Sequence, residues 1–237
     1  MNLLAIDTSG PVAGVSVLRD GRVIYEGAAV NRRTHSVNLL PMVEEALNRS
    51  ATEVSAVDLF AVVVGPGSFT GVRIGVSMLK GMAHGAGKPC VAVDALEALA
   101  CGVCESPDLL CPIQDARAGQ VYGAAFTAGM PPVRQMEDIA AKLPDFLDAA
   151  LALAQPGQRL LFVGDGVEPC QAAIRERLGE RARFAPAHLR FLRPASVAAL
   201  AELRQYEAVD YLTLMPRYLR APQAERLRAV KEKERRP

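Results

Sequence analysis

The run Gly65-Pro66-Gly67-Ser68-Phe69-Thr70-Gly71-Val72-Arg73-Ile74-Gly75 joins a short apolar segment, Asp58 to Gly65, to a longer one that ends near residue 86. The first segment reads as a strand buried on both faces. The second reads as a helix over about residues 71 to 86. The three glycines of the loop between them permit backbone conformations closed to other residues, and Ser68 or Thr70 can cap the helix that follows. A helix that starts after a glycine-rich loop can hold an anion. The run lacks the Gly-Lys-Ser/Thr ending of a P-loop. It reads equally as a tight strand-to-helix turn required by packing.

Upstream, the apolar run Leu3 to Asp7 ends in Thr8-Ser9-Gly10. Val12 to Leu18 is rich in valine, and Asp20-Gly21 is a hairpin pair before Val23 to Val30. The chain therefore opens with about three antiparallel strands. Leu39, Leu40, Val43, Ala46 and Leu47 then recur at helical spacing, opposite Glu44, Glu45 and Asn48. Downstream of the loop, Pro89 to Val93 reads as a strand and Asp94 as the cap of a helix running to about Cys104.

The pattern then restarts. Leu109 to Asp115 is a strand, Ala116 to Gly119 a turn, and Gln120 to Thr127 a second strand. Helical patterns follow near 138–153 and 168–178, around a strand at Leu160 to Val163, and Pro194 to Tyr206 is helical again. This succession predicts an α/β protein of two related lobes. We place the first lobe at 1–104, with a C-terminal helix at 222–235 packing back on it, and a smaller second lobe at 105–221.

The 237 residues are half hydrophobic and carry a net charge of +1. That composition excludes wholesale disorder and gives no global attraction to nucleic acid. No apolar run approaches the roughly 18 residues of a membrane helix, and the start reaches Asp7 too soon for a signal peptide. Five cysteines, an odd number without framework spacing, fit a reducing cytoplasm.

Several groups could carry chemistry. Leu4-Ala5-Ile6-Asp7-Thr8-Ser9 is a buried strand ending in an acid and two hydroxyls. Its turn can offer N–H groups to a phosphate, and the acid can hold a hydrated Mg²⁺; the alternative is an ordinary turn closed by its own side chains. Together with the glycine loop it gives a candidate nucleotide site at Asp7, Thr8, Ser9, Gly65, Gly67 and Ser68. Cys101-Gly102-Val103-Cys104 has redox or zinc spacing, but it falls in an apolar helical stretch and reads as small packed residues. The only histidines are His35, His84 and His188, none with a ligand partner at useful spacing, so no metal is expected. Residues 217–237 hold eight Lys/Arg against three Glu, a basic tail that reads as an RNA contact or a solvated helix face.

The helices at 35–48 and 71–86 are unusual in composition. The second carries Gly71, Gly75, Gly81 and Gly85, each costing about 1 kcal/mol relative to alanine. Close approach of another backbone is the simplest reason. A helix apolar nearly all round is either a core helix of this chain or one packed on the sheet by one side and on a partner chain by the other.

The succession Asp7-Thr8-Ser9, His35 to Leu47, Gly65 to Gly75, Asp115-Ala116-Arg117 with Val121-Tyr122, Gly164-Asp165-Gly166 and Pro216-Arg217-Tyr218-Leu219-Arg220 resembles the bacterial TsaB family over nearly the whole chain. The resemblance implies the two-lobed fold of actin, Hsp70 and sugar kinases, with mixed sheets flanked by helices. It also implies a non-catalytic scaffold subunit for threonylcarbamoyl transfer to N6 of adenosine 37 in transfer RNAs reading ANN codons. Such a subunit forms a homodimer when alone, binds the catalytic subunit TsaD and the ATPase TsaE, and meets transfer RNA only through the complex. The family resemblance tips the reading of the two helices to a partner interface at Leu39, Val43, Leu47, Val72, Gly75, Val76, Leu79 and Met82. TsaD carries a His-x-x-x-His pair in its first helix; here Leu39 stands four residues after His35. No cofactor is expected, a nucleotide being conceivable only in the assembly. The alternatives are an ATPase or phosphotransferase using Asp7, and a metallopeptidase-like protein.

Overall fold

Asn2–Asp7 (β1), Ala13–Arg19 (β2), Arg22–Ala29 (β3), Leu59–Gly65 (β4) and Cys90–Asp94 (β5) form one sheet in the order β3-β2-β1-β4-β5. The first three are antiparallel neighbours, and β4 and β5 add in parallel. Every residue of β4 is buried, as a central strand covered on both faces requires. The computed structural model describes residues 1–30 and 35–220.

A second sheet repeats this plan. Leu109–Asp115 (β6), Gln120–Thr127 (β7), Val133–Lys142 (β8), Leu160–Val163 (β9) and Ala182–Phe184 (β10) take the order β10-β9-β6-β7-β8. Again the first three are antiparallel and the last two parallel. Each strand thus has a counterpart in the other lobe, and the expected two-lobed α/β architecture of mixed sheets is present.

Helices fill the space between and around the sheets. His35–Arg49 (α1) and Phe69–Ala86 (α2) pack on one face of the first sheet, through a core that includes Leu4, Ile6, Val62, Leu39, Val76 and Leu79. Pro194–Leu203 (α6) lies on the opposite face. Ala95–Cys101 (α3) sits between the lobes, and all seven of its residues are buried. Its start is fixed by Asp94, whose Oδ1 accepts the Glu97 N–H at 2.8 Å. Leu143–Leu153 (α4) and Val167–Leu178 (α5) cover the far face of the second sheet.

Two expectations need correction. The stretch from 138 is not helical at first: β8 runs to Lys142, and Pro144 sets the start of α4. Proline has no N–H to donate and suits the first turn of a helix, so the apolar residues before it extend the strand. The lobe boundary also moves. The chain returns to the first lobe at α6, well before residue 222, because the apolar residues Val197, Ala198, Leu200 and Ala201 complete the first sheet's inner face. It then pairs with the edge strand β5, where Cys90 and Val209 exchange backbone hydrogen bonds at 2.9 and 2.8 Å. The expected helix at 222–235 and most of the basic tail lie outside the described residues.

Candidate functional site

The β1–β2 turn and the glycine loop are locked to each other. Asp7 Oδ1 accepts the Ser9 N–H at 2.8 Å, and Thr8 Oγ1 donates to the Gly71 carbonyl at 2.8 Å. The Ser68 N–H donates to the Ser9 carbonyl at 2.7 Å, and Ser68 Oγ in turn caps α2 through the Gly71 N–H. A Cβ on Gly67 would lie 2.3 Å from the Ser9 carbonyl oxygen. On Gly71 it would lie 2.1 Å from the Thr8 carbonyl oxygen, and on Gly75 2.4 Å from Thr8 Oγ1. Packing between two turns therefore accounts for these three glycines.

The two lobes enclose a cleft of about 730 Å³. Of the six proposed nucleotide residues, Ser9, Gly67 and Ser68 line it. Asp7, Thr8 and Gly65 do not: Asp7 is buried with its Oδ1 taken by the Ser9 N–H, Thr8 is buried with its hydroxyl on the Gly71 carbonyl, and Gly65 lies against the Arg217 backbone. Burial pushes the Asp7 carboxyl up to about 6. Across the cleft Asp165 is pushed up to about 7, first by burial and then by the neighbouring Asp115 charge. Gln114 Oε1 is buried beside the cleft without a hydrogen-bond partner among the described residues.

The C-terminal segment closes one side of this cleft, which the sequence reading did not foresee. The Arg217 N–H donates to the Val64 carbonyl at 2.7 Å. The Arg217 guanidinium pairs with Asp94 of the first lobe at 2.9 Å and with Asp138 of the second. Arg134, on the second sheet, pairs with the same two acids. Tyr218 stacks on Phe69 with ring centroids 4.6 Å apart and accepts the Arg73 Nε–H at 2.8 Å. The only signal in the sequence was the Pro216 to Arg220 motif, which names residues but not their place.

His35 Nε2 donates to the Gly10 carbonyl at 3.0 Å, a structural role at the start of α1. Leu39, four residues on, is fully buried. Among the described residues no group of three His, Cys, Asp or Glu could hold a metal ion. Burial pushes the Cys101 thiol up to about 11, and its sulfur lies 3.7 Å from Met130 Sδ. It is a packed, protonated thiol.

The interface residues also need correction. Leu39, Val43, Leu47, Val72, Gly75, Val76 and Leu79 are buried against the chain's own sheet, and only Met82 is half-exposed. The reason is helical periodicity: the most apolar row faces the nearest sheet. Outward the helices present Val37 and Leu40 of α1, exposed, and the half-buried row Ile74, Met78 and Met82 of α2, which rests at the edge of the core. Gly81 and Gly85 lie on the outer side, and a Cβ at either would meet nothing within 4 Å. Packing among the described residues thus explains Gly71 and Gly75 but not Gly81 and Gly85.

The chain was compared with known families and structures. Residues 28–227 match the family described as TsaD, tRNA N6-adenosine threonylcarbamoyltransferase. The tRNA threonylcarbamoyladenosine biosynthesis protein TsaB of Bacillus subtilis is 36% identical over 228 residues, covering 95% of this chain and 96% of that protein. The Escherichia coli protein of the same name is 38% identical over 129 residues, 53% of this chain and 55% of that protein. Among solved structures, YeaZ from Pseudomonas aeruginosa superposes with a TM-score of 0.76 at 27% identity, over 92% of this chain and 99% of that one. These likenesses make the chain, with its two mixed sheets, a member of the TsaB (YeaZ) family.

Proposed function

We propose that the chain is a non-catalytic subunit of the machinery that places threonylcarbamoyladenosine on transfer RNA. In this reading it pairs through the outer face of α1 and α2 with the catalytic subunit TsaD, or with a second copy of itself when alone. The ATPase TsaE joins the assembled complex, whose substrates are adenosine 37 of transfer RNAs reading ANN codons, in the cytoplasm. The supporting likenesses are to proteins named for this biosynthesis.

The observation that carries the surface is the division of α2 into two sides. Its inner glycines are required by Thr8, whereas Gly81 and Gly85 face open space beside Ile74, Met78 and Met82. Glycine in a helix costs about 1 kcal/mol against alanine. A neighbouring chain that approaches this side closely offsets that cost. A two-helix patch meeting its own copy forms a four-helix contact with two-fold symmetry.

The test is sedimentation of Met78→Glu alone and mixed with TsaD, paired with a thermal melt. We expect a folded monomer that no longer captures TsaD. A folded variant that still dimerises and still binds TsaD would place the interface elsewhere.

A further inference from the structure

The mouth of the cleft gathers cations and stacked rings from three separate parts of the chain. Phe69 and Arg73 come from the start of α2, Arg117 from the β6–β7 turn, and Tyr218 and Arg220 from the C-terminal segment. The Arg73 guanidinium lies over the Phe69 ring, 3.9 Å from its centroid, while Phe69 stacks on Tyr218. Tyr218 remains 39% exposed. Arg220 reaches the Ala116 carbonyl through Nη1 at 3.1 Å, next to Arg117. Arg117 is exposed, and its guanidinium has no hydrogen-bond or ion-pair partner among the described residues. The acids nearby are Asp115, which accepts the Arg117 N–H at 2.7 Å, and Asp165, part of the cleft wall.

The geometry points to a direct contact between this mouth and a single-stranded loop of RNA, with Arg117 and Arg220 on phosphates and Tyr218 stacking on a base. Two features favour RNA over a protein partner. Arginines beside an exposed aromatic face match the combination by which single strands are held, phosphate neutralisation together with stacking. The cations belong to a local patch on a chain whose net charge is only +1, so they are not the overflow of a basic protein. The contact deepens the proposed function, on which the choice of transfer RNA rests. It differs from that reading in giving this subunit its own hold on the RNA.

The experiment uses the full chain alone with a fluorescent transfer RNA anticodon stem-loop, followed by anisotropy across a salt series. We expect binding at low salt that the double variant Arg117→Gln, Arg220→Gln weakens about tenfold. The slope of log affinity against log salt should fall by about 1.4, from about 0.7 per phosphate contact on a single strand. Tyr218→Leu should weaken binding about tenfold at unchanged slope, whereas Tyr218→Phe, which keeps the ring, should stay within about twofold. Folded variants with unaltered affinity and slope overturn the contact, as does full displacement of the RNA by micromolar adenosine monophosphate, which would make the mouth a mononucleotide pocket. Sedimentation of the same variants with TsaD keeps the two readings apart: loss of RNA without loss of TsaD supports the contact, and failure of the wild-type chain to bind TsaD counts against the scaffold alone.

Discussion

Asp7 and Asp115 make the same turn in the two lobes. Asp7 Oδ1 accepts the N–H of Ser9 at 2.8 Å, and Asp115 Oδ1 accepts the N–H of Arg117 at 2.7 Å, each at the end of the strand that centres its sheet. The loops that pack on these strands also correspond. A Cβ on Gly67 would strike the Ser9 carbonyl at 2.3 Å, and one on Gly164 the Ile113 carbonyl at 2.0 Å. The copies differ in burial: Asp7 is sealed, whereas Asp115 is exposed at the cleft.

That difference has a pH signature. Burial raises the Asp7 pKa to about 6, against about 4 for a carboxyl in an unfolded chain. The folded state therefore holds the proton more tightly, and stability falls as pH rises from about 4 through 6. By pH 7.5 the penalty for ionising Asp7 is roughly 3 kcal/mol. Asp7→Asn keeps an acceptor for the Ser9 N–H and carries no charge. We expect it to stabilise the protein at pH 7.5 and to lose that advantage near pH 4, read by urea unfolding at both values. A variant less stable at pH 7.5 would show that the carboxylate form is needed.

The glycines of α2 should separate by sign. Gly71→Ala puts a methyl against the Thr8 carbonyl and should cost roughly 2 kcal/mol. Gly81→Ala meets nothing within 4 Å among the described residues and should stabilise the isolated helix by up to about 1 kcal/mol, while weakening self-association and TsaD binding. Stability and association moving in the same direction at Gly81 would remove the reason for placing a partner there.

Leu79 and Met78 are adjacent in sequence and opposite in role. Leu79 is fully buried between α2 and the sheet, so Leu79→Ala should cost about 2–5 kcal/mol in a thermal or urea melt. Met78→Ala should cost less than about 1 kcal/mol in the monomer and act mainly on association. Equal losses at the two positions would mean that Met78 is also a core residue.

Removing Arg217 strands two acids. Asp94 and Asp138 would share only Arg134, in a place where Asp138 is almost wholly buried. Arg217→Ala should destabilise the chain by roughly 2 kcal/mol. It should also raise amide hydrogen exchange at residues 209–218 and at the Val64 carbonyl's partner, the N–H of residue 217. Unchanged exchange there would show that the backbone pairing holds the segment without the ion pairs.

Much of the fold was legible because its periodicities are local. Leu109 to Asp115, Gln120 to Thr127 and Leu160 to Val163 appear as strands at the boundaries read from sequence, each framed by turn residues. β8 was not legible: Ile139, Ala140 and Ala141 favour no single period, and only Pro144 marks where the helix begins. At the site, the Asp7 turn and the glycine loop were identified, but which of their side chains face the cleft depends on hydrogen bonds across 63 residues, such as Thr8 to Gly71. The residues expected at an interface face the chain's own sheet, for a related reason. An apolar row at helical spacing reveals that a face is buried, and it carries no mark of whether a sheet of the same chain or another molecule covers it.

The second sheet is drawn from one uninterrupted stretch, 109–184, while the first lobe needs α6, Val209 and Leu214 from far downstream. On the ribosome the order of completion therefore reverses the order of synthesis. The second lobe has all its strands as soon as residue 184 emerges, but the first must wait with the β5 edge and one sheet face uncovered until residues 194–214 follow. Premature termination anywhere between 194 and 214 would leave a finished second lobe attached to an open, aggregation-prone first one.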